Sequence, residues 1–132
     1  MSVHPTLRYD DPRAAIAFLT RALGLVEQQV YTDDKGAVAH AELSFGDGVV
    51  MLGTRAGGDD RFDTGRAVIY LVADGADAVD AHHDRAVAAG AEVVLQLTDQ
   101  PYGSREFAVL DPEGNVWTMG SYRPVIKPAA RG

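Results

Sequence analysis

No cysteine occurs among the 132 residues, which excludes disulfides, thiolate nucleophiles and cysteine-held zinc or iron–sulfur centres. Basic residues are few: 12 lysines and arginines, scattered rather than clustered, stand against 19 acids. The resulting formal charge of −7 opposes both a phosphate backbone and an anionic membrane face, so no nucleic-acid or membrane partner is expected. No apolar run approaches a membrane span, and no basic segment leads into an apolar stretch after Met1; a soluble, cytoplasmic protein is expected. Nucleophile elbows are missing around Ser2, Ser44, Ser104 and Ser121, and Gly57-Gly58 reads as linker rather than phosphate loop. What remains is an ordinary composition, 46% hydrophobic and 23% charged, in a chain long enough to bury about two thirds of its unfolded surface.

The stretch FAVLDPEGNVWTMG, Phe107 to Gly120, organises the rest. Two runs of strand formers flank the turn Asp111-Pro112-Glu113-Gly114, which predicts a hairpin. A weaker copy lies in LSFGDGVVMLG, Leu43 to Gly53, where Gly48 matches Gly114 and Val50 matches Val116. The chain is therefore expected to be two halves of one plan.

In the first half, alternation over Val3–Tyr9 predicts a strand. Asp11 as N-cap with Pro12 in the first turn starts a helix whose stripe is Ile16, Leu19 and Leu23, and Gly24 ends it. Strands follow at Leu25–Thr32, Ala37–Phe45 and Val49–Thr54, the first two joined by Asp33-Asp34-Lys35-Gly36. The polar, glycine-rich segment Arg55–Gly65 links to a second half: strand Arg66–Val72, helix Ala76–Ala89 led by Asp74 and stopped by Gly90, strand Ala91–Leu97, then the hairpin. Of the two aspartate-led helix starts, Asp11 in the first half matches Asp74 in the second. Beyond Ser121, Pro124 and Pro128 interrupt a segment with no periodicity, so residues 123–132 are expected to form a flexible tail or to drape over a neighbour.

The segments HPTLRYDDPRAAIAFLTRALG, VAHAELSFGDGVVMLG, VIYLVADGADAVDAHHDRAVAAGAEV and YGSREFAVLDPEGNVWTMG, in that order, resemble the glyoxalase, bleomycin-resistance and extradiol-dioxygenase (vicinal oxygen chelate) superfamily over Val3 to Tyr122. The resemblance implies an α+β fold, with two βαβββ modules (3–54 and 66–120) in a single domain, 1–122. Their curved mixed sheet is expected to fold around a cavity with the helices outside. It also implies a homodimer.

The chemistry of that superfamily, where present, rests on up to four His, Glu or Gln ligands, on the first and last strand of each module. They hold a divalent ion that acts as a Lewis acid. Carried over residue by residue, His4 stands at the first-strand position, but its counterpart in the second module is Ala67. Thr118 takes the glutamate position of the last strand, and its counterpart in the first module is Leu52. One imidazole does not make a site, and no cofactor is expected. A divalent metal held by His4, His40 and Glu42 is the alternative. His40 and Glu42, two apart on one strand, share a face, so both look into the cavity beside His4, Thr6 and Arg8, or else sit solvated or hydrogen-bonded at a strand edge. Tyr102 and Arg105, just before the seventh strand, either stack on a planar ring and grip a carboxylate, or pair with an acid such as Glu106 or Asp111. Trp117 is expected in the core, and His82 and His83 on a helix surface.

The expected ligand-binding set is therefore His4, Arg8, His40, Glu42, Leu52, Tyr102, Arg105 and Thr118. The expected function is metal-free binding of a small organic molecule, planar or carboxylate-bearing, as in the resistance branch. A divalent-metal lyase, isomerase or dioxygenase with an altered ligand set is the alternative.

Overall fold

The computed structural model of the protein describes residues 1–129. Its elements run β1 (Thr6–Tyr9), α1 (Pro12–Leu23), β2 (Val26–Thr32), β3 (Val38–Phe45), β4 (Gly48–Thr54), β5 (Val68–Val72), α2 (Ala76–Ala88), β6 (Glu92–Asp99), β7 (Arg105–Leu110) and β8 (Val116–Gly120). The strands form two four-stranded sheets, ordered β1-β4-β3-β2 and β5-β8-β7-β6. In each, the first strand pairs in parallel with the last and the other pairings are antiparallel. The sheets are open. This is the α+β plan of paired βαβββ modules expected from the sequence.

Local chemistry sets the boundaries. Asp11 caps α1 by accepting the Ala14 N–H at 3.0 Å, Pro12 opens its first turn, and Gly24 closes it with a φ of 77° that few other residues adopt. Asp74 does not cap α2. That position belongs to Gly75, which has no side chain to offer, and Asp74 instead accepts from the Arg123 guanidinium at 2.8 Å. The ladder of β1 starts at Thr6 rather than Val3: Pro5 accepts from the Met51 N–H through its carbonyl but has no N–H of its own, so pairing stops there. At the β6–β7 connection, the Gln100 N–H reaches the Ser104 carbonyl at 2.7 Å, carrying strand structure past Leu97 and starting β7 before Phe107. Of the tail, Arg123 ties down to Asp74 and the rest through Ala129 has no regular structure; residues 130–132, included in the expected flexible tail, lie outside the described residues.

The repeat is real, but each match between the halves moves by one position from that read in the sequence. The helices start at Pro12 and Ala76, so Asp11 corresponds to Gly75 rather than Asp74. Gly53 and Gly120 are the matching glycines of the last strands, so Gly48 corresponds to Asn115 rather than Gly114. Helix-side residues of both modules merge in one core containing Tyr9, Leu19, Leu23, Leu43, Leu52, Phe107, Trp117 and Met119, each with almost no exposed surface. Trp117 lies there as expected. His82 and His83 lie on α2 as expected but are half-buried, each against an aromatic ring. His82 packs on Phe45 across the module boundary with ring centroids 5.5 Å apart, and His83 meets the edge of Phe107 at 5.3 Å.

Asp111 joins the modules. Its Oδ2 accepts from the Tyr9 hydroxyl at 2.6 Å, Asn115 Nδ2 at 2.9 Å and Trp117 Nε1 at 3.0 Å, while Oδ1 accepts the backbone N–H groups of Glu113 and Asn115. Burial, followed by the Asp111 hydrogen bond, raises the Tyr9 pKa far above its ordinary value, keeping that hydroxyl a donor. Beside it, the Glu113 carboxylate accepts the N–H groups of Asp10 and Asp11 at 2.7 and 2.8 Å.

Candidate functional site

Each sheet has one face covered by helices and one open face. On the first sheet, the alternation that buries Leu7, Leu43 and Leu52 brings Thr6, Glu42 and Met51 into one cross-strand row on the open face, and Arg8 and Gly53 into the next. Gly53 leaves room there for the Arg8 guanidinium, which a Cβ would meet, and a Cβ would also lie 3.0 Å from the Ala39 carbonyl. His40 Nε2 and a Glu42 oxygen lie 2.8 Å apart, and the Tyr31 ring stacks over His40 at 6.0 Å. This is the hydrogen-bonded pair foreseen as the structural alternative, and it lies on the face where a ligand would be met.

His4 sits apart. Its Nδ1–H donates to the Val49 carbonyl at 3.0 Å and its Nε2 accepts from the Ser2 hydroxyl at 2.6 Å, which fixes the tautomer. His4 aligns with the row of Val49 and Ser44, whereas His40 falls two rows further along, about 13 Å at ~3.3 Å per residue. His4, His40 and Glu42 do not converge, and no group of three metal-ligating side chains occurs among the described residues. Leu52 leaves the ligand set: it is fully buried on the helix side, and the open-face counterpart of Thr118 is Met51. The one-position correction of the repeat has this consequence.

The second open face carries a feature the sequence reading passed over. Glu106, only 4% exposed, accepts from the Tyr70 hydroxyl at 2.7 Å, the Ser104 hydroxyl at 3.0 Å and the Tyr102 hydroxyl at 2.8 Å. Burial works to raise its pKa, but these bonds, with a further one from Gln100, outweigh it and hold the carboxyl below the ordinary value, so it is ionised at neutral pH. The same bonds act on the donors. The Glu106 hydrogen bond, then burial, pushes the Tyr102 phenol up to about 12, and burial raises Tyr70. The ring of Tyr122 stands edge-on to Tyr102 at 5.7 Å, and its N–H donates to Ser104. Gly120 makes the room, since a Cβ there would collide with the Tyr70 hydroxyl.

No ion pair reaches Glu106 among the described residues. Arg105, expected in the cavity, turns to the helix side and binds Asp80 at 2.6 Å and Asp99 at 3.1 Å. It is not free to grip a ligand carboxylate. Thr118 stands beside Tyr70 and Ala108 on the open face. Alternation of Glu106, Ala108 and Leu110 against Phe107 and Val109 would have placed Glu106 on that face; the sequence reading weighed it only as a partner for its neighbours.

Four positions can be tested for the divalent ion that this architecture holds in metal-bearing proteins. With the corrected matches they are His4, Met51, Val68 and Thr118. One imidazole, a thioether, an alkyl group and a hydroxyl do not fit a divalent ion.

A paired βαβββ chain with an ionised, tyrosine-bonded glutamate on one open sheet face is thus the class that fold and site define. The family model of the Glyoxalase/Bleomycin resistance protein/Dioxygenase superfamily matches residues 2–119. Among solved structures, TioX from Micromonospora sp. ML1 superposes with a TM-score of 0.75 at 32% identity, over 91% of this chain and 97% of that one. A lactoylglutathione lyase from Agrobacterium tumefaciens reaches 0.70 at 23% identity, over 91% and 92%, and shares the fold. An uncharacterised protein of Mycobacterium bovis is 34% identical over 125 residues, covering 90% of this chain and 82% of its own length. The chain belongs to the Glyoxalase/Bleomycin resistance protein/Dioxygenase superfamily.

Proposed function

We propose that this protein is a metal-free, sequestering or resistance-type binder of a small organic molecule, acting in the cytoplasm as a homodimer in which the open sheet faces form the binding surface. The observation that carries the reading is Glu106. An ionised carboxylate with almost no exposed surface, held only by neutral donors that include two tyrosine hydroxyls, is suited to a ligand that brings a positive or strongly hydrogen-donating group. Tyr102, 57% exposed, offers a planar stacking surface beside it. Arg8, His40, Glu42 and Thr118 supply the remaining polar contacts. A carboxylate-bearing ligand is less well served, because Arg105 is committed to Asp80 and Asp99.

The donor set at the four expected metal positions supports the metal-free part of the reading. Purified protein dialysed against excess nickel, zinc, manganese and iron(II), then analysed by inductively coupled plasma mass spectrometry, is expected to hold substoichiometric metal. A thermal-shift screen of planar amines is expected to give stabilisation that Glu106→Gln and Tyr102→Ala reduce. One tightly held ion per chain, lost in His4→Ala or His40→Ala, would replace this reading with the metal-dependent enzyme.

A further inference from the structure

A cleft of about 780 Å³ lies between the modules. The β3–β4 turn and the edge of β5 flank it, Ala78 and His82 of α2 border it, and Arg123 and Pro124 lie at its rim. Of the open-face groups Tyr70, which donates to Glu106, also lines it, whereas His40, Glu42, Met51, Tyr102, Glu106 and Thr118 do not.

The internal repeat explains the space. The match that sets Pro12 against Ala76 makes Tyr9 correspond to Ala73, and the match that sets Gly53 against Gly120 makes Val50 correspond to Trp117. On one side of the molecule, Tyr9 and Trp117 fill the junction between a hairpin turn and the neighbouring module, locked to Asp111. On the other side, Ala73 and Val50 line the cleft, so a phenol and an indole have been replaced by a methyl and an isopropyl group. Phe45 and His82, tilted by 51° with centroids 5.5 Å apart, form an aromatic wall. Asp47 and Asp74 also line the cleft; Arg123 pairs with Asp74, and Asp47 has no ion pair among the described residues.

We propose that this cleft is a second ligand site, touching the second open face only at Tyr70, and that it takes a planar aromatic cation of two or three fused rings. The volume lies within the roughly 300–1,000 Å³ common for small-molecule sites. The missing phenol and indole leave room for a planar ring system in a lining of mixed polarity, and Asp47 with the net charge of −7 favours a positive ligand over an anionic one. His82 suits the role as a neutral ring. Its Nδ1 is buried without a hydrogen-bond partner among the described residues, and burial, then Arg85, lowers its pKa.

The test is isothermal titration of the full chain with 9-aminoacridine, a fused-ring cation. With the open face removed by Tyr102→Ala, saturable binding at one molecule per chain is expected to remain, and to be lost when that variant also carries Ala78→Trp, which plugs the cleft from α2, or Val50→Trp/Ala73→Tyr, which copies the filled junction. Circular dichroism and the thermal midpoint establish that each variant is folded; should the double variant not fold, Ala78→Trp decides alone. Tyr102 does not line the cleft, so Tyr102→Ala leaves this binding intact and failure of the open-face reading is separable from failure here. No saturable binding in Tyr102→Ala, or binding there that survives the plug, overturns the proposal. So does binding that appears only after removal of residues 123–132 or only in monomeric Val68→Asp, since the chain's own tail or a second copy at the β5 edge would then be the occupant.

Discussion

At the residue scale, two carboxylates with nearly the same burial do different work. Asp111 accepts five hydrogen bonds that tie the first strand, the second hairpin and the buried indole together. Replacing it by alanine leaves three buried side-chain donors and two backbone N–H groups without an acceptor, expected to cost roughly 3–5 kcal/mol in urea unfolding. A loss below about 1 kcal/mol, the scale of a single ordinary hydrogen bond, would mean that Asp111 does not hold the modules together. Glu106 is the carboxylate with a pH signature. Its folded pKa lies below the ordinary 4.5, so as pH falls through that value the unfolded chain binds a proton that the folded chain does not. Its contribution to stability is complete above about pH 4.5 and is lost as pH falls through the folded pKa. The urea midpoints of wild type and Glu106→Gln are therefore expected to differ most at neutral pH and to converge as pH falls through the folded Glu106 pKa. A gap that stays constant over that range would remove the case for an ionised Glu106.

At the element scale, the matching glycines of β4 and β8 face unequal neighbours. In Gly120→Ala the new methyl collides with the Tyr70 hydroxyl and comes within 2.8 Å of Glu106 Cγ, which displaces the bonds that organise the second open face. A destabilisation of about 1–3 kcal/mol is expected, together with weaker ligand binding in the thermal-shift screen. Gly53→Ala first meets the far end of the flexible Arg8 side chain and is expected to cost less; the reverse order, measured by urea unfolding, would count against this account of the open faces. Element types and their order were legible in the sequence, because proline, aspartate caps, glycine stops and period-2 alternation are local signals. The exact match between the halves was not. It depends on a glycine taking the cap position of α2 and on how each hairpin turn closes, and one residue of slip in a strand exchanges the faces, which is how Leu52 came to be expected where Met51 stands. Arg105 was misplaced for a related reason: local sequence does not announce that α2 presents Asp80 to it.

At the scale of the whole molecule, the open faces and the sheet edges point to a second copy. β1 and β5 each have a single neighbour in their sheets, and the β5 edge exposes Val68 at 73%. The far-edge strand β2 exposes Val26 and Tyr31 by more than half. Edges of this kind invite pairing unless charge or a covering element blunts them, and β5, Val-Ile-Tyr-Leu-Val, carries no charge at all. No hydrogen bond or ion pair among the described residues joins the open face carrying Arg8, His40 and Glu42 to the face carrying Tyr70, Glu106 and Thr118. A two-fold dimer that apposed one face of each kind would bring cationic Arg8 near anionic Glu106 and close a cavity that a single chain leaves open. Light scattering at micromolar concentration is expected to give a dimer. Val68→Asp places a charge on the exposed β5 edge without touching the core, so it is expected to yield a folded monomer that no longer responds to ligands of the open faces. A wild-type monomer that still binds those ligands would show that each face works alone, and the site would then have to be sought on the Glu106 side, where the tyrosines supply both the walls and the hydrogen bonds.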